Sequence, residues 1–267
     1  MRILVISLRR AKARRAAVAA QFGNSIALEF LDAIEGSALQ VRDLTLDEAQ
    51  YRLNTRRAPL PAELGCYASH RLAWQRCVDQ NEPLIIMEDD CELAPEFGAA
   101  LQLLEPLARR FGFIRLESTE RFQPVRKHLR RRTHRLLERD RFELHYLADV
   151  PLCMLAYAIN PTTAEALIRA SATVIAPVDK FMQRTWQHGQ PVFALTPAVV
   201  APSPREAAHS YIGDRSRKSR ELPLLLRRLA YKSVGELRRW AFNRRELKRL
   251  ARPPSTAKAE SAQADSG

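Results

Sequence analysis

Three consecutive carboxylates, Glu88, Asp89 and Asp90, directly follow the apolar segment 83–87. An apolar run of this length between polar residues indicates a buried parallel strand. Like charges a few ångströms apart raise one another's pKa, so three acids at a strand end are costly to hold together without a cation. Oxygen ligands suit Mg²⁺ or Mn²⁺, which complete their shells with water and substrate phosphates. The tripeptide therefore predicts a metal–diphosphate site at the carboxyl edge of a sheet.

The elements that would position this site alternate between strand and helix along the chain. We expect strands at residues 2–8, 26–31, 83–87, 113–116, 154–159 and 191–195. We expect helices at residues 9–22, 61–81, 95–110, 161–170 and 179–188. A shorter helix is predicted to begin at Thr45, with Glu48 completing a capping box. The alternation predicts an α/β fold with a mainly parallel central sheet covered by helices on both faces.

The basic charge of the chain is concentrated near its C-terminus. The 267 residues carry a net charge of +13. Residues 1–214 hold 28 Lys and Arg against 25 Asp and Glu, whereas residues 215–252 hold 14 against 3. We therefore divide the chain into a domain at 1–214, a basic amphipathic helical tail at 215–252 and a small polar, disordered tail at 253–267.

Cysteine usage and hydropathy favour a reducing, aqueous compartment. The four cysteines show neither a C-x-x-C pair nor a metal-ligand spacing, which is typical of reduced, buried thiols. The apolar start at residues 2–8 is short for a secretory h-region, and no apolar run reaches about 18 residues. The expected location is the cytoplasm, with peripheral attachment to the inner face of the membrane through the basic tail.

Several motifs together resemble glycosyltransferase family 25, which contains lipopolysaccharide-core and collagen galactosyltransferases. The most specific combination is the block at residues 63–70, Glu-Leu-Gly-Cys-Tyr-Ala-Ser-His, followed by Trp74 and the acidic tripeptide. Further matches are residues 6–9, 14–15, 30–36, 177–179 and 210–212, so the resemblance covers about residues 2–212. Two segments depart from the pattern. The family usually has a glycine and small residues before the strand at 154–159, where this chain has Pro-Leu-Cys at 151–153, and the basic segment 121–141 has no clear counterpart.

The resemblance implies a GT-A nucleotide-sugar-transferase fold and an inverting, metal-dependent reaction. A hexose, galactose from UDP-galactose by family precedent, would move to a hydroxyl of a glycan such as lipopolysaccharide core or a lipid-linked saccharide. Mn²⁺ or Mg²⁺ would bridge the donor phosphates and stabilise the charge that develops as UDP leaves. Asp90 and Glu88 are the expected metal ligands, and Glu88 or Asp89 would contact metal or ribose.

Other residues are assigned to the donor and to catalysis. Arg9 and Arg14 are expected to hold uridine or diphosphate, because arginine's forked donors suit phosphate. Asp32 would accept from uracil, and Ser69 and His70 would lie near the acids, with His70 donating to a phosphate oxygen. An inverting displacement needs one base to take the acceptor proton, and Asp179 is the candidate.

Each assignment has a structural alternative. The acids fit a solvated loop with Asp90 capping a helix, and Asp179 fits a helix N-cap. His70 fits a half-buried histidine satisfied by a neighbour, Arg14 a wet helix face, and Asp32 a turn former.

The whole chain also has alternatives. A nucleic-acid-binding protein would use the basic segments 121–141 and 215–252, although no nucleic-acid-binding motif accompanies them. An inactive homologue acting as a scaffold is the third hypothesis, and the intact tripeptide argues against it. The tail itself fits either an anionic membrane surface or a basic helix packed on its own domain.

Overall fold

The computed structural model describes residues 1–23, 26–38, 44–117, 133–204, 219 and 221–252. Its strands are β1 Arg2–Ser7, β2 Leu28–Asp32, β3 Thr45–Leu46, β4 Leu84–Glu88, β5 Cys91–Leu93, β6 Phe113–Arg115, β7 Thr133–Arg139, β8 Phe142–Leu147, β9 Ala156–Ile159, β10 Thr173–Val174, β11 Val192–Thr196 and β12 Val200–Pro202. Its helices are α1 Lys12–Phe22, α2 Glu48–Thr55, α3 Pro61–Gln80, α4 Phe97–Phe111, α5 Pro161–Ala170, α6 Val178–Met182, α7 Thr185–His188 and α8 Leu222–Leu250, with a 3-10 turn at Gly36–Ala38.

Eight of the described strands form one mixed sheet in the order β2-β1-β4-β9-β6-β11-β8-β7. β1 is parallel to β2 and β4, and β11 is parallel to β6. β9 runs antiparallel between β4 and β6, and β8 pairs antiparallel with β11 and β7. The α/β class is confirmed, but the expected mainly parallel sheet is wrong, because four of these seven pairings are antiparallel. A buried strand such as Ala156–Ile159 is apolar throughout in either direction, so its sequence did not reveal its orientation.

The sheet direction brings several strand ends to one edge. Since β9 is antiparallel to both β4 and β6, these two strands point the same way as β1 and β11. The carboxyl ends of all four strands therefore lie at the same edge. Ser7, Glu88 and Arg115 are the last residues of β1, β4 and β6 at this edge.

Helices cover both faces of the sheet, as the sequence predicts. Alternate residues of β1 point to opposite sides, so Ile3 and Val5 enter one core and Leu4 and Ile6 the other. The first core packs against α1 and α4, and the second against α3, α5 and α6. Burial on both faces explains why β1 and β4 are continuously apolar.

Three local expectations differ from the structure. Thr45 lies in β3, and α2 is capped instead by Asp47, whose Oδ1 accepts from the Gln50 amide at 2.9 Å. The helix expected at 179–188 is divided into α6 and α7. No strand is expected within the basic segment 121–141, but its described part from residue 133 contributes β7, an edge strand paired with β8. Residues 121–132 lie outside the described part of the chain.

Helix α8 lies within the segment predicted as a basic tail, and one side of it packs on the domain. Phe242 and Glu246 are buried there, and Asn243 accepts from the Tyr146 hydroxyl at 2.7 Å and donates to the Ala148 carbonyl at 2.8 Å. The large side chains on the other side are exposed: Leu222, Leu226, Leu229, Val234, Leu237 and Trp240. None of the described helices is both long and apolar enough to cross a bilayer. Residues 253–267, predicted to be disordered, lie outside the described part.

Candidate active site

An open cavity of about 280 Å³ lies at the carboxyl ends of β1 and β4. Its walls are the ends of these strands, the segment 33–37 after β2, and the first turns of α3. Its charged lining consists of four carboxylates and two guanidinium groups: Glu35, Glu88, Asp89, Asp90, Arg10 and Arg14. With all four carboxylates ionised, the lining carries a surplus of two negative charges, which opposes the binding of an anion unless a cation binds with it.

Two glycines let the wall of the cavity pack directly on α3. A Cβ at Gly36 would lie 1.6 Å from the Pro61 carbonyl oxygen, and a Cβ at Gly65 would lie 2.5 Å from that of Ile34. Two hydrogen bonds of Ser69 stabilise this contact. Its Oγ accepts from the Ile34 amide at 2.8 Å and donates to the Gly65 carbonyl at 2.7 Å. The glycine and serine of the 63–70 motif therefore shape the cavity wall.

Asp89 is held by protein donors. Its Oδ2 accepts from Ser7 Oγ at 2.5 Å, and its Oδ1 lies 3.3 Å from the Arg14 guanidinium. Burial raises the pKa of Asp89, and the bonds from Ser7 and Arg14 oppose that rise. The structure thus places Arg14 at the cavity, as predicted, in contact with an acid.

Asp90 is held differently from its neighbour. Its Oδ1 is buried and has no hydrogen-bond partner within the described residues. Burial, together with the charges of Glu88 and Asp89, raises the pKa of Asp90 to about 7. A buried carboxylate oxygen without a donor is costly. A divalent cation would supply the missing partner, so the residues present fit a metal such as Mn²⁺ or Mg²⁺.

Glu88 is oriented by a buried relay of rings. His70 is fully buried, with Nε2 at 3.1 Å from Glu88 Oε1 and Nδ1 at 2.9 Å from the Tyr157 hydroxyl. That hydroxyl also accepts from Trp74 Nε1 at 2.9 Å. Burial raises the pKa of Tyr157 well above its ordinary value, so its hydroxyl keeps a proton to donate to Nδ1. In this network Nε2 of His70 donates to the Glu88 carboxylate and the Tyr157 hydroxyl donates to Nδ1.

The sequence predicts that His70 donates a hydrogen bond to a phosphate oxygen of the nucleotide sugar. In the structure its contacts are with protein groups, where it orients Glu88. Both ring nitrogens are bonded to protein groups, and the ring is not part of the cavity lining. Cys66 Sγ also lies 3.7 Å from Glu88 Oε1, so sulfur, nitrogen and oxygen atoms of Cys66, His70 and Glu88 fall within 4.8 Å of one another. Both nitrogens of His70 are already hydrogen-bonded, whereas Glu88 and Cys66 line the cavity.

Arg9 and Asp32 lie outside the cavity lining and bind each other. Nε and a terminal nitrogen of Arg9 donate to Asp32 Oδ2 at 3.0 and 2.7 Å, while Arg15 donates to Oδ1 at 2.5 Å. Arg15 and Arg9 lower the pKa of the exposed Asp32 carboxyl. Their expected roles, uridine or diphosphate binding for Arg9 and uracil binding for Asp32, remain predictions. Ser69 lines the cavity but uses its hydroxyl for the wall contact.

Asp179 also lies outside the cavity lining. It is partly buried in the first turn of α6, and its Oδ1 accepts from the Lys180 amide at 2.7 Å. Its charge contributes to the raised pKa of Tyr51, whose hydroxyl donates to Glu63 in the first turn of α3. Asp179 therefore lies close to the start of α3, and its catalytic role remains a prediction.

Sequence reasoning missed a buried ion pair at the same edge. Arg115 and Glu117 lie 2.5 Å apart with both side chains almost fully buried, and Arg115 also donates to the Pro151 carbonyl. Burial raises the pKa of Glu117, opposed by the charge of Arg115. The signal was available, because an acid follows the predicted strand 113–116 as Glu88 follows the strand before it. Tyr157 was also missed, since a tyrosine inside an apolar strand is usually a core residue.

The backbone adjoining β9 is strained at one residue. Cys153 has a φ of 116°, which L-residues rarely adopt and glycine adopts freely. The charges of Glu117, Arg115 and Glu88 all act on its thiol, whose pKa burial raises. Cys153 therefore belongs to the same sheet edge as the acids.

The fold and this cavity define an α/β protein with an acid-lined cavity at the carboxyl edge of its central sheet. The chain belongs to glycosyltransferase family 25: the family's model, described as an LPS biosynthesis protein, matches residues 1–182. The resemblance read from the motifs is thereby confirmed, and the protein is a glycosyltransferase of the family 25 type. The search among curated proteins found no match. The matched region contains every residue that lines this cavity and ends at the last residue of α6.

Proposed function

We propose that the protein transfers a hexose, galactose in the first instance, from a UDP-sugar to a hydroxyl of a glycan acceptor of the lipopolysaccharide type. The donor diphosphate would occupy the cavity together with Mn²⁺ or Mg²⁺. The observation that carries this proposal is the buried Oδ1 of Asp90 beside Glu88, for which the described residues provide no hydrogen-bond partner. It favours a cation at the place where the cavity otherwise repels phosphate.

Asp90 and Glu88 would hold the metal, which when bound supplies positive charge to the phosphates and to the departing UDP. The chain's own residues prepare this site. Ser7 and Arg14 fix Asp89, and His70 fixes Glu88, so the carboxylates need little rearrangement on binding. The first turn of α3 lines the cavity at Pro61 and Ala62, and the positive end of a 20-residue helix dipole favours an anion there.

Transfer with inversion is the proposed stereochemical course, because a single displacement needs only one base on the acceptor side. Asp179 is retained as the candidate base. Its replacement by Asn should abolish transfer while leaving UDP affinity unchanged. Full turnover by Asp179→Asn would show that another group takes the proton.

The function is tested by measuring UDP release and sugar transfer from a panel of UDP-hexoses, with and without Mn²⁺. Asp90→Asn should lose Mn²⁺ binding and transfer, whereas Asp79→Asn, an exposed change of the same type on α3, should behave like the native protein. Thermal stabilisation by UDP that requires Mn²⁺ in the native protein, and disappears in Asp90→Asn, reports donor binding without any acceptor. Native-like transfer by Asp90→Asn would refute the proposed metal site.

We also propose that α8 attaches the enzyme to an anionic membrane surface, where a lipid-linked acceptor would lie. Its exposed apolar side chains face away from the domain, and the sequence of residues 215–252 contains 14 Lys and Arg against 3 acids. The triple variant of Leu226, Leu229 and Leu237 to Ser should no longer float with phosphatidylglycerol vesicles.

Leu72→Ser, at an exposed leucine of α3, provides the control for surface hydrophobicity. Vesicles of neutral phosphatidylcholine should bind neither the native chain nor the variants. Equal flotation of the triple variant and the native chain would reject the membrane role.

A further inference from the structure

A second cavity, of about 720 Å³, lies between α8 and the segment formed by α6 and α7. It shares no lining residue with the first cavity. Its lining contains six cationic side chains, Lys180, Arg184, Arg228, Lys232, Arg238 and Arg239, against two carboxylates. Both carboxylates, Asp149 and Glu236, are bonded to Arg239. The remaining lining is therefore strongly positive, opposite in sign to the first cavity.

Two of these arginines have no carboxylate partner within the described residues. Arg228 donates through one terminal nitrogen to the Leu53 and Asn54 carbonyls, at 2.6 and 2.5 Å. Its Nε and second terminal nitrogen have no protein acceptor in the described part of the chain. Arg184 donates to the Asn54 side chain and to the Tyr231 hydroxyl. Burial and the charges of Arg56 and Arg184 lower the pKa of Arg228.

The C-terminal end of α2 offsets only part of the positive charge of this lining. The carbonyls of Leu53 and Asn54 belong to its last turn, where the helix dipole carries roughly half a negative charge. Three cations gather at this end, since Lys180 Nζ lies 3.5 Å from the Asn54 carbonyl in addition to Arg184 and Arg228. A partial charge does not neutralise the two guanidinium groups of Arg184 and Arg228, so an external anion would relieve their mutual repulsion.

The neutral part of the lining is typical of a saccharide site. Trp186 and Tyr231 present aromatic rings, and Asn54, Gln183 and Gln187 present amide groups that can both donate and accept. Aromatic walls with a few convergent polar groups are characteristic of small-molecule pockets. Arginine forks add recognition of phosphate oxygens.

We propose that this second cavity binds a phosphorylated saccharide. The phosphate would bind the guanidinium and ammonium groups of Arg228, Lys232 and Arg238, and the sugar would lie against Trp186 and Tyr231. Most of the cavity is formed by residues beyond the family match at 1–182, so it would be particular to this chain's C-terminal part. Assigning the ligand to the acceptor rests on the proposed function, whereas binding itself does not.

The test is calorimetric titration of the full chain with glucose 6-phosphate, inorganic phosphate and glucose at constant ionic strength. The test variant is Lys232→Gln/Arg238→Gln, because both side chains are exposed lining residues. The matched control is Arg227→Gln/Lys248→Gln, which removes one Arg and one Lys from exposed positions of the same helix outside the cavity. We expect one glucose 6-phosphate per chain, weakened about tenfold in the test variant and less than twofold in the control.

The remaining arms separate this site from other phosphate sites. Asp90→Asn should leave glucose 6-phosphate affinity unchanged, so a failure of the UDP-sugar hypothesis would not alter this result. Equal losses in test and control variants would attribute binding to overall charge and overturn the proposal. Inorganic phosphate binding as tightly as glucose 6-phosphate would overturn the saccharide part. The saccharide part would also be overturned if the native chain bound vesicles but not glucose 6-phosphate, and if this vesicle binding were lost in the test variant. That result would assign the cations to a lipid headgroup.

Discussion

Replacing Gly65 by Ala tests whether the cavity wall depends on close packing against α3. The new Cβ would lie 2.5 Å from the Ile34 carbonyl oxygen and 2.6 Å from the Gly36 amide nitrogen. Both neighbours are backbone atoms, so relief requires the wall and the helix to separate by at least several tenths of an ångström. Such overpacking costs about 3 kcal/mol. The separation would also break the Ser69–Ile34 bond, which costs about 1 kcal/mol, whereas alanine gains about 1 kcal/mol in helix propensity.

The net expectation for Gly65→Ala is a loss of about 3 kcal/mol in the free energy of unfolding, measured by urea denaturation. UDP affinity should fall as well, because Ile34 and Gly36 line the cavity. Gly98→Ala is the control, since Gly98 is also a helical glycine and a Cβ there would meet nothing within 4 Å. It should leave stability unchanged or raise it by up to about 1 kcal/mol. A Gly65→Ala protein as stable as Gly98→Ala would refute the packing argument.

Three further predictions concern buried polar groups and strain. Burial lowers the pKa of His188 from 6.5 to about 4. The stability that the neutral imidazole contributes, at most about 3 kcal/mol, is complete above pH 6.5 and is lost as the pH falls through 4. In urea titrations, His188→Gln should lack this acid sensitivity. Because Cys153 has a φ of 116°, the free energy of unfolding should be about 1 kcal/mol higher for Cys153→Gly than for Cys153→Ala. The reverse order would show that the backbone there is unstrained. Tyr157→Phe leaves nitrogens of His70 and Trp74 without their hydrogen-bond partner, so it should lower the free energy of unfolding by about 2 kcal/mol. It should also weaken Mn²⁺ binding measured by calorimetry. Unchanged Mn²⁺ affinity would reject the relay.

Most elements of the fold were predictable because their signals are local. The apolar runs that become β1 and β4, and Pro61 at the start of α3, need only neighbouring residues to be recognised. Strand orientation is not local. The sequence of β9 is compatible with either direction, and the edge strand β7 is mostly exposed, so its polar pattern resembles a loop.

The site was predictable where a residue's type and its position at a strand end coincide. Glu88, Asp89, Asp90 and Arg14 all line the cavity, as the sequence suggested. His70 was located near the acids, but its exposure could not be read from helical spacing, because burial depends on Tyr157 from a strand 87 residues away. The pairing of Arg9 with Asp32 likewise arises from tertiary contact between β1 and the end of β2.

The three acids of the tripeptide are supported unequally, and this inequality is the strongest argument for a metal. Asp89 receives a hydroxyl and a guanidinium, and Glu88 receives the imidazole of His70, so fixed donors already stabilise two of the three charges. A protein that needed only to bury the acids would also give Oδ1 of Asp90 a donor. Asp90 instead keeps a buried oxygen with no donor in the described structure, at the edge of a cavity whose lining is net negative. Under the proposed function, Mn²⁺ or Mg²⁺ bound together with the donor diphosphate would satisfy that oxygen, while Asp89 and Glu88 would keep their protein donors.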